Sequence, residues 1–345
     1  MAERLKSLLL SYYFMPTVAE LGEREVINRI MHCLTVMPNM PIPVWDDVNA
    51  ISLGGGFCVV LKTDMLVWKT DIPQGMTPFQ AGRKAVIMNF SDLGSKGCQP
   101  QAFLAALGVP ESTPISWVED IAHGFESAVR EHEAYMVGGD TNEACDIIIS
   151  GMAYGTAEES KLVKRGTSKP GDILCSSGSW GNTTCAFKIL LEDLEVRATL
   201  RDKLLQSVYM PHTRVKAGIE LANSGAATSS MDSSDGLAVS LHDLEKSSGN
   251  GFIIEKLPLT SEATFFVETH NLDPSATALY GGEEYELVFT VDPKQLDNAR
   301  SCLKKAGCEL QILGRVIREK KIVYIENGIE KKVGSGGWEH FTGLK

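Results

Sequence analysis

Apolar residues recur along the chain at two spacings. Within 23–34, Val26, Ile27, Ile30, Met31 and Leu34 keep the three-to-four-residue rhythm of one helical face. Trp117, Ile121, Phe125 and Ala128 repeat that rhythm later. Pro78 opens another helical stretch through Ala81, Ala85, Met88 and Ser91, and Gly97 marks its stop. Short β-branched or apolar runs at 57–62, 101–109 and 146–154 read as strands, and Gly54-Gly55-Gly56 before the first reads as a hairpin turn. A polar stretch, 156–171, breaks the pattern. Beyond it come a strand at 173–176, helices at 183–192 and around 215–223, and strands at 287–291 and 322–325. Helices alternate with strands in both parts, so the expected class is α/β (α+β) in two domains, 1–155 and 156–345.

Composition narrows the partners. A chain of 345 residues exceeds the size at which one core stops growing, about 250–300 residues. Its 33 Lys+Arg against 44 Asp+Glu leave a net charge of -11, a poor match to a nucleic-acid backbone. No apolar run reaches the ~20 residues of a membrane span, and Ser11, Pro16 and Glu20 interrupt any signal-peptide core. A cytoplasmic protein with no nucleic-acid or membrane partner is expected. Eight scattered cysteines without a CxxC read as buried, reduced thiols, and seven histidines without HExxH give no zinc site.

The chemistry sits in a recurring local pattern. Apolar or small-residue runs end in a small residue followed by aspartate at Thr63-Asp64, Ser91-Asp92, Gly139-Asp140 and Asp232-Ser233-Ser234-Asp235, and Asp46-Asp47 precedes another run. Each aspartate alone could simply cap a helix or turn. Five such sites in one chain point instead to convergence. Carboxylates about 4 Å apart repel by roughly 4 kcal/mol at an effective dielectric of 20, so a convergent cluster demands cations. Hard oxygen ligands in that number suit Mg²⁺ together with phosphate oxygens. The chain has no GxxxxGK[ST], GxGxxG, HRD, DFG or GxSxG motif, so metals rather than a lysine-bearing loop would carry a nucleotide's phosphates.

Asp46-Asp47, KTDMLV (62–67), RKAVIMNFSDLGSKG (83–97), GGDT (138–141), RGTSKPGD (165–172), SSDGL (233–237), GGEEYEL (281–287) and GWEHF (337–341) stand in the order found in thiamine-monophosphate kinases. The resemblance runs from about residue 20 to 341, and GGEEYEL with GWEHF is its most specific part. It implies the two-domain aminoimidazole ribonucleotide synthetase-like fold, with an N-terminal domain whose sheet joins a partner's in a homodimeric barrel and a C-terminal α/β domain. It implies ATP-dependent phosphorylation of thiamine monophosphate to thiamine diphosphate. Carried over by motif, Asp47, Thr63, Asp64, Asp92, Asp140, Asp232 and Asp235 would hold several Mg²⁺ ions. Gly139, Arg165 and Ser234 would touch ATP, and Asp71, Glu283 and Trp338 would surround the thiamine moiety, whose cationic ring suits an indole face and acidic side chains. The chain departs from that family at Trp45, where many relatives carry Gly, at Asp71, where many carry His, at Glu284, where Asp is usual, and at Asn182, a frequent Asp.

The acceptor is already an ionised phosphate, so direct in-line attack needs no catalytic general base. Two rivals stand beside this reading: cyclisation of the aminoimidazole ribonucleotide synthetase type, and a non-catalytic nucleotide or thiamine-phosphate sensor.

Overall fold

The computed structural model describes residues 16–337 and 340–341. Its Asn39–Gly337 portion is one compact unit, and the earlier described residues, with His340 and Phe341, form another. In that smaller unit Glu23–His32 is helical as its stripe predicts, yet none of its residues is buried. The preceding turn, Val18–Leu21, starts from a Thr17/Glu20 capping box, and His340 N–H donates to Glu23 Oε2 at 3.1 Å.

Two sheets organise the larger unit. The first has the order β1-β2-β5-β3-β4, from β1 (Asn49–Gly54), β2 (Phe57–Val67), β3 (Gln99–Val109), β4 (Tyr135–Glu143) and β5 (Ile148–Glu158). Gly54, Gly55 and Gly56 all have φ between 64° and 83°, and they join β1 to β2 in the expected hairpin. β3 and β4 run parallel because the Ile115–Glu131 helix carries the chain between them. Along β2 the side chains alternate: Cys58, Val60 and Leu66 are buried in the core, whereas Phe57 and Met65 on the other face are exposed.

The Pro78–Ser95 helix lies on the core side of this sheet. Thr77 caps it by accepting from Gln80 N–H, Pro78 sits where no N–H is needed, and fourteen of its residues are buried. Phe90 meets Phe103 edge-to-face at 5.9 Å between ring centres. Val215 and Tyr285 enter the same core from the later part of the chain.

The second sheet has the order β12-β11-β8-β10-β6-β9-β7, from β6 (Ile173–Ser176), β7 (Ala227–Ser233), β8 (Gly251–Ile254), β9 (Glu286–Val291), β10 (Gln311–Ile317), β11 (Ile322–Glu326) and β12 (Ile329–Lys332). Only β8 and β11 pair in parallel. Every residue of β9 is buried, which suits its near-continuous apolar run.

Several elements went unassigned in the sequence: the edge strand β4, the Ala198–Tyr209 helix, and the strand–helix–strand of β7, Leu237–Ser248 and β8. The polar stretch after 156 begins inside β5 and continues through two single turns, Glu159–Lys161 and Arg165–Thr167. All eight cysteines are unpaired. Five are buried, but Cys33 and Cys145 are exposed and Cys308 is half-buried, so burial does not extend to every thiol as expected.

Candidate functional site

Acidic side chains from separate segments meet where the two sheets approach. The loop before β1 brings Asp46 and Asp47, β2 brings Asp64, the last turn of the Pro78–Ser95 helix brings Asp92, and the end of β7 brings Asp232. Oxygens of Asp47, Asp92 and Asp232 lie within 4.8 Å of one another, and all three residues are buried.

The protein supplies cations of its own to this cluster. Lys62 and Asp64 stand two apart on β2 and so share a face; Lys62 Nζ is 3.0 Å from Asp64 and 2.9 Å from Asp92. Lys96 Nζ, at the end of the helix, is 2.7 Å from Asp46 and 2.5 Å from Asp47, and it donates to Ser230 O. Arg165 forks onto Asp47, donates to Trp45 O, and its backbone N–H donates to Asp46. Ser95 Oγ donates to Asp47 and Ser91 Oγ donates to Asp232.

The balance is uneven. Burial disfavours charge on Asp47, but Arg165 and Lys96 overcome it and hold its pKa at about 2. Burial, and then the neighbouring Asp232, push Asp92 well above the carboxylate range. Asp232 is raised as well, by burial and by Asp47. Asp232 accepts from a hydroxyl and makes no ion pair among the described residues. Six acidic side chains, Asp46, Asp47, Asp64, Asp92, Asp232 and Asp243, face or adjoin only three cations, Lys62, Lys96 and Arg165, which leaves a deficit of cations in a buried site. Three close oxygen donors with that deficit fit a divalent, oxygen-preferring ion such as Mg²⁺.

A second group lies around Lys84, which is only 2% exposed. Its Nζ donates to Asp71 O at 2.9 Å and to Glu283 Oε1 at 2.5 Å, joining two segments expected at the substrate. Asp71 spends one carboxylate oxygen on Val67 N–H at 2.7 Å. The Glu283 segment is docked onto the end of β7, with Glu283 N–H on Ser234 O and Tyr285 N–H on Ser233 O. Glu283 and Tyr285 hold φ of 64° and 52°, an unusual backbone that the docking over-determines. Beside them Glu284 accepts from Gly181 N–H at 2.6 Å, ahead of the Asn182–Leu191 helix, and burial pushes its carboxyl up to about 7.

The structure does not gather every expected residue into these groups. Thr63 points to the opposite face of β2 from Lys62 and Asp64, and its hydroxyl donates to Gly151 O. Gly139 and Asp140 lie exposed on the edge strand β4, outside the three-carboxylate group. A Cβ at Gly139 would sit 2.2 Å from Ala105 O, so only glycine fits there. Ser234 and Asp235 are exposed in the turn leading to Leu237–Ser248. Trp338 lies outside the described residues.

The chain matches AIR synthase related protein, N-terminal domain, over residues 45–157, and AIR synthase related protein, C-terminal domain, over 169–326. Thiamine-monophosphate kinase of Pyrococcus horikoshii is 38% identical over 301 residues, covering 86% of this chain and 91% of that one. The chain belongs to the thiamine-monophosphate kinase family. The thiamine-monophosphate kinase of Aquifex aeolicus is 31% identical over 93% of this chain and 99% of that one. Among solved structures, AaThiL complexed with AMPPCP and TMP superposes with a TM-score of 0.83 at 28% identity, covering 95% of this chain and 99% of that chain.

Within this kinase family the residues missed from sequence are the basic and hydroxyl partners: Lys62, Lys84, Lys96, Ser91 and Ser95. One local signal was present. Lys62 stands at i−2 to Asp64 on a strand, a same-face spacing, whereas the Lys96 partners Asp46 and Asp47 are about 50 positions away. Lys84 has no comparable local partner, since Glu283 is 199 positions away.

Proposed function

We infer that the protein transfers a phosphoryl group from ATP to thiamine monophosphate, giving thiamine diphosphate and ADP. The observation that carries this reading is the convergence of Asp47, Asp92 and Asp232 in a family of kinases, together with Lys84, which joins the Asp71 backbone to the Glu283 carboxylate. Bound at those three aspartates, Mg²⁺ would neutralise phosphate oxygens and align donor with acceptor.

The chain's own residues account for the rest. No side chain is required to remove a proton, because the acceptor phosphate is already ionised. Lys62 and Arg165 line the acidic site with positive charge that incoming phosphates can share. Glu283, fixed by Lys84 and by Ser234 O, offers a carboxylate to a cationic ring. Gly139, Ser234 and Arg165 are proposed to face ATP, with Asp64, Asp140 and Asp235, and the backbone at Thr63, completing the metal shell once phosphates are bound.

Residues 1–155 are proposed to carry ATP, Mg²⁺ and the dimer contact, and 156–345 to complete the nucleotide and substrate site. A homodimer is supported by the outward face of the first sheet, where Phe57, Met65 and Met152 are 53%, 57% and 39% exposed. None of the described helices is long and apolar enough to cross a membrane.

Incubation with ATP, Mg²⁺ and thiamine monophosphate should yield thiamine diphosphate, and omission of Mg²⁺ should abolish it. ADP release with formylglycinamidine ribonucleotide but not with thiamine monophosphate would replace this reading by the cyclisation one. Binding of both substrates without product would replace it by the sensor.

A further inference from the structure

The cations in the acidic site are not distributed evenly. Lys96 and Arg165 serve Asp46 and Asp47, whereas Lys62 alone serves Asp64 and Asp92, at 3.0 and 2.9 Å. Asp232 accepts from the hydroxyl of Ser91, shares a hydrogen bond with the Asp92 carboxyl and makes no ion pair among the described residues. One divalent ion among Asp47, Asp92 and Asp232 would offset that shortage of cations. A second ion between Asp64 and Asp92 would have to occupy the place where the Lys62 ammonium stands. An ammonium at hydrogen-bond distance and a Mg²⁺ ion at ~2.1 Å from the same oxygens exclude one another, by space and by like charge.

We propose that Lys62 is a resident cation that takes the place of a second divalent ion between Asp64 and Asp92 in the nucleotide-free protein. Asp64 is then held on β2 without a metal, and becomes a metal ligand only when Lys62 turns toward an incoming phosphate. This rests on the reading of Asp47, Asp92 and Asp232 as a metal site.

The test counts Mn²⁺ bound to the full-length protein without nucleotide, by electron paramagnetic resonance of the free ion and by calorimetry. The wild type should bind one ion per chain. Lys62→Met should bind two, and Lys62→Met combined with Asp64→Asn should return to one. Should Lys62→Met not fold, Lys62→Gln, which keeps a donor without the charge, must show the second ion. Two ions in the wild type, or one in the uncharged variants with affinity within about threefold of wild type, would overturn the proposal. No Mn²⁺ in the wild type would instead remove the metal site itself, and the proposal with it.

Discussion

Lys96 Nζ, with no exposed side-chain surface, lies 2.5 Å from Asp47 Oδ2 and so ties the loop before β1 to the end of the Pro78–Ser95 helix through a buried ion pair. Replacing only this cation leaves two buried carboxylates to Arg165 alone. Lys96→Met is expected to lower stability by about 3–5 kcal/mol in urea unfolding, and Lys96→Met with Asp47→Asn to recover part of that loss. A loss below 1 kcal/mol for the single variant would mean that water reaches the pair.

Asp232 has the opposite character. It is buried beside two other carboxylates, so its charge works against folding and in favour of binding a cation. Asp232→Asn keeps an oxygen for Ser91 Oγ while removing the repulsion. Thermal denaturation in Mg²⁺-free buffer should show equal or higher stability, while kcat falls by a factor on the order of 10²–10³. A variant that loses stability and keeps its turnover would contradict the role given to this carboxylate.

Glu284 supplies a pH dependence outside the acidic cluster. Its folded pKa of about 7 lies above the ordinary 4.5, so between those values the folded state binds more protons than the unfolded one. Its contribution to stability is therefore most favourable below pH 4.5 and is lost as pH rises through 7. Glu284→Gln should stabilise the protein at pH 8 by about 3 kcal/mol and make almost no difference near pH 4.5. Parallel denaturation curves across that range would show the gap closing, or its absence.

Trp45, where the family resemblance leads one to expect glycine, has a φ of 74°. A β-carbon is disfavoured there whatever the side chain does. The indole is 44% exposed, with Lys246 Nζ 5.3 Å from its ring centre. Comparing two truncations isolates the backbone effect: Trp45→Gly should be more stable than Trp45→Ala by about 1 kcal/mol. Equal stabilities would place position 45 outside the left-handed region.

The legible parts of the sequence were those whose physics is local. The hairpin at Gly54–Gly56, the helix after Pro78 and the strand at Ile173–Ser176 each follow from residues within a few positions. The acidic cluster was legible as a demand for cations, because several aspartates ended apolar runs. What answered that demand was not. Lys62 meets Asp64 at a local same-face spacing, but Lys96 and Arg165 meet carboxylates from another segment, Arg165 from 118 positions beyond Asp47, and no periodicity encodes such a pairing. Arg165, read within a polar connecting stretch, proved largely buried, with 15% of its side chain exposed. The edge strand β4 was hidden because nearly all of it faces solvent, leaving no apolar alternation to detect.

Tyr285 belongs by sequence to the run that leads into β9, yet it is buried in the core of the first sheet, as is Val215. A fragment ending before β6 would therefore carry an open hole and a Lys84 without its Glu283 carboxylate, and its complement a stray phenol. Severed near the middle, the polypeptide should yield two pieces that gain order only on being mixed.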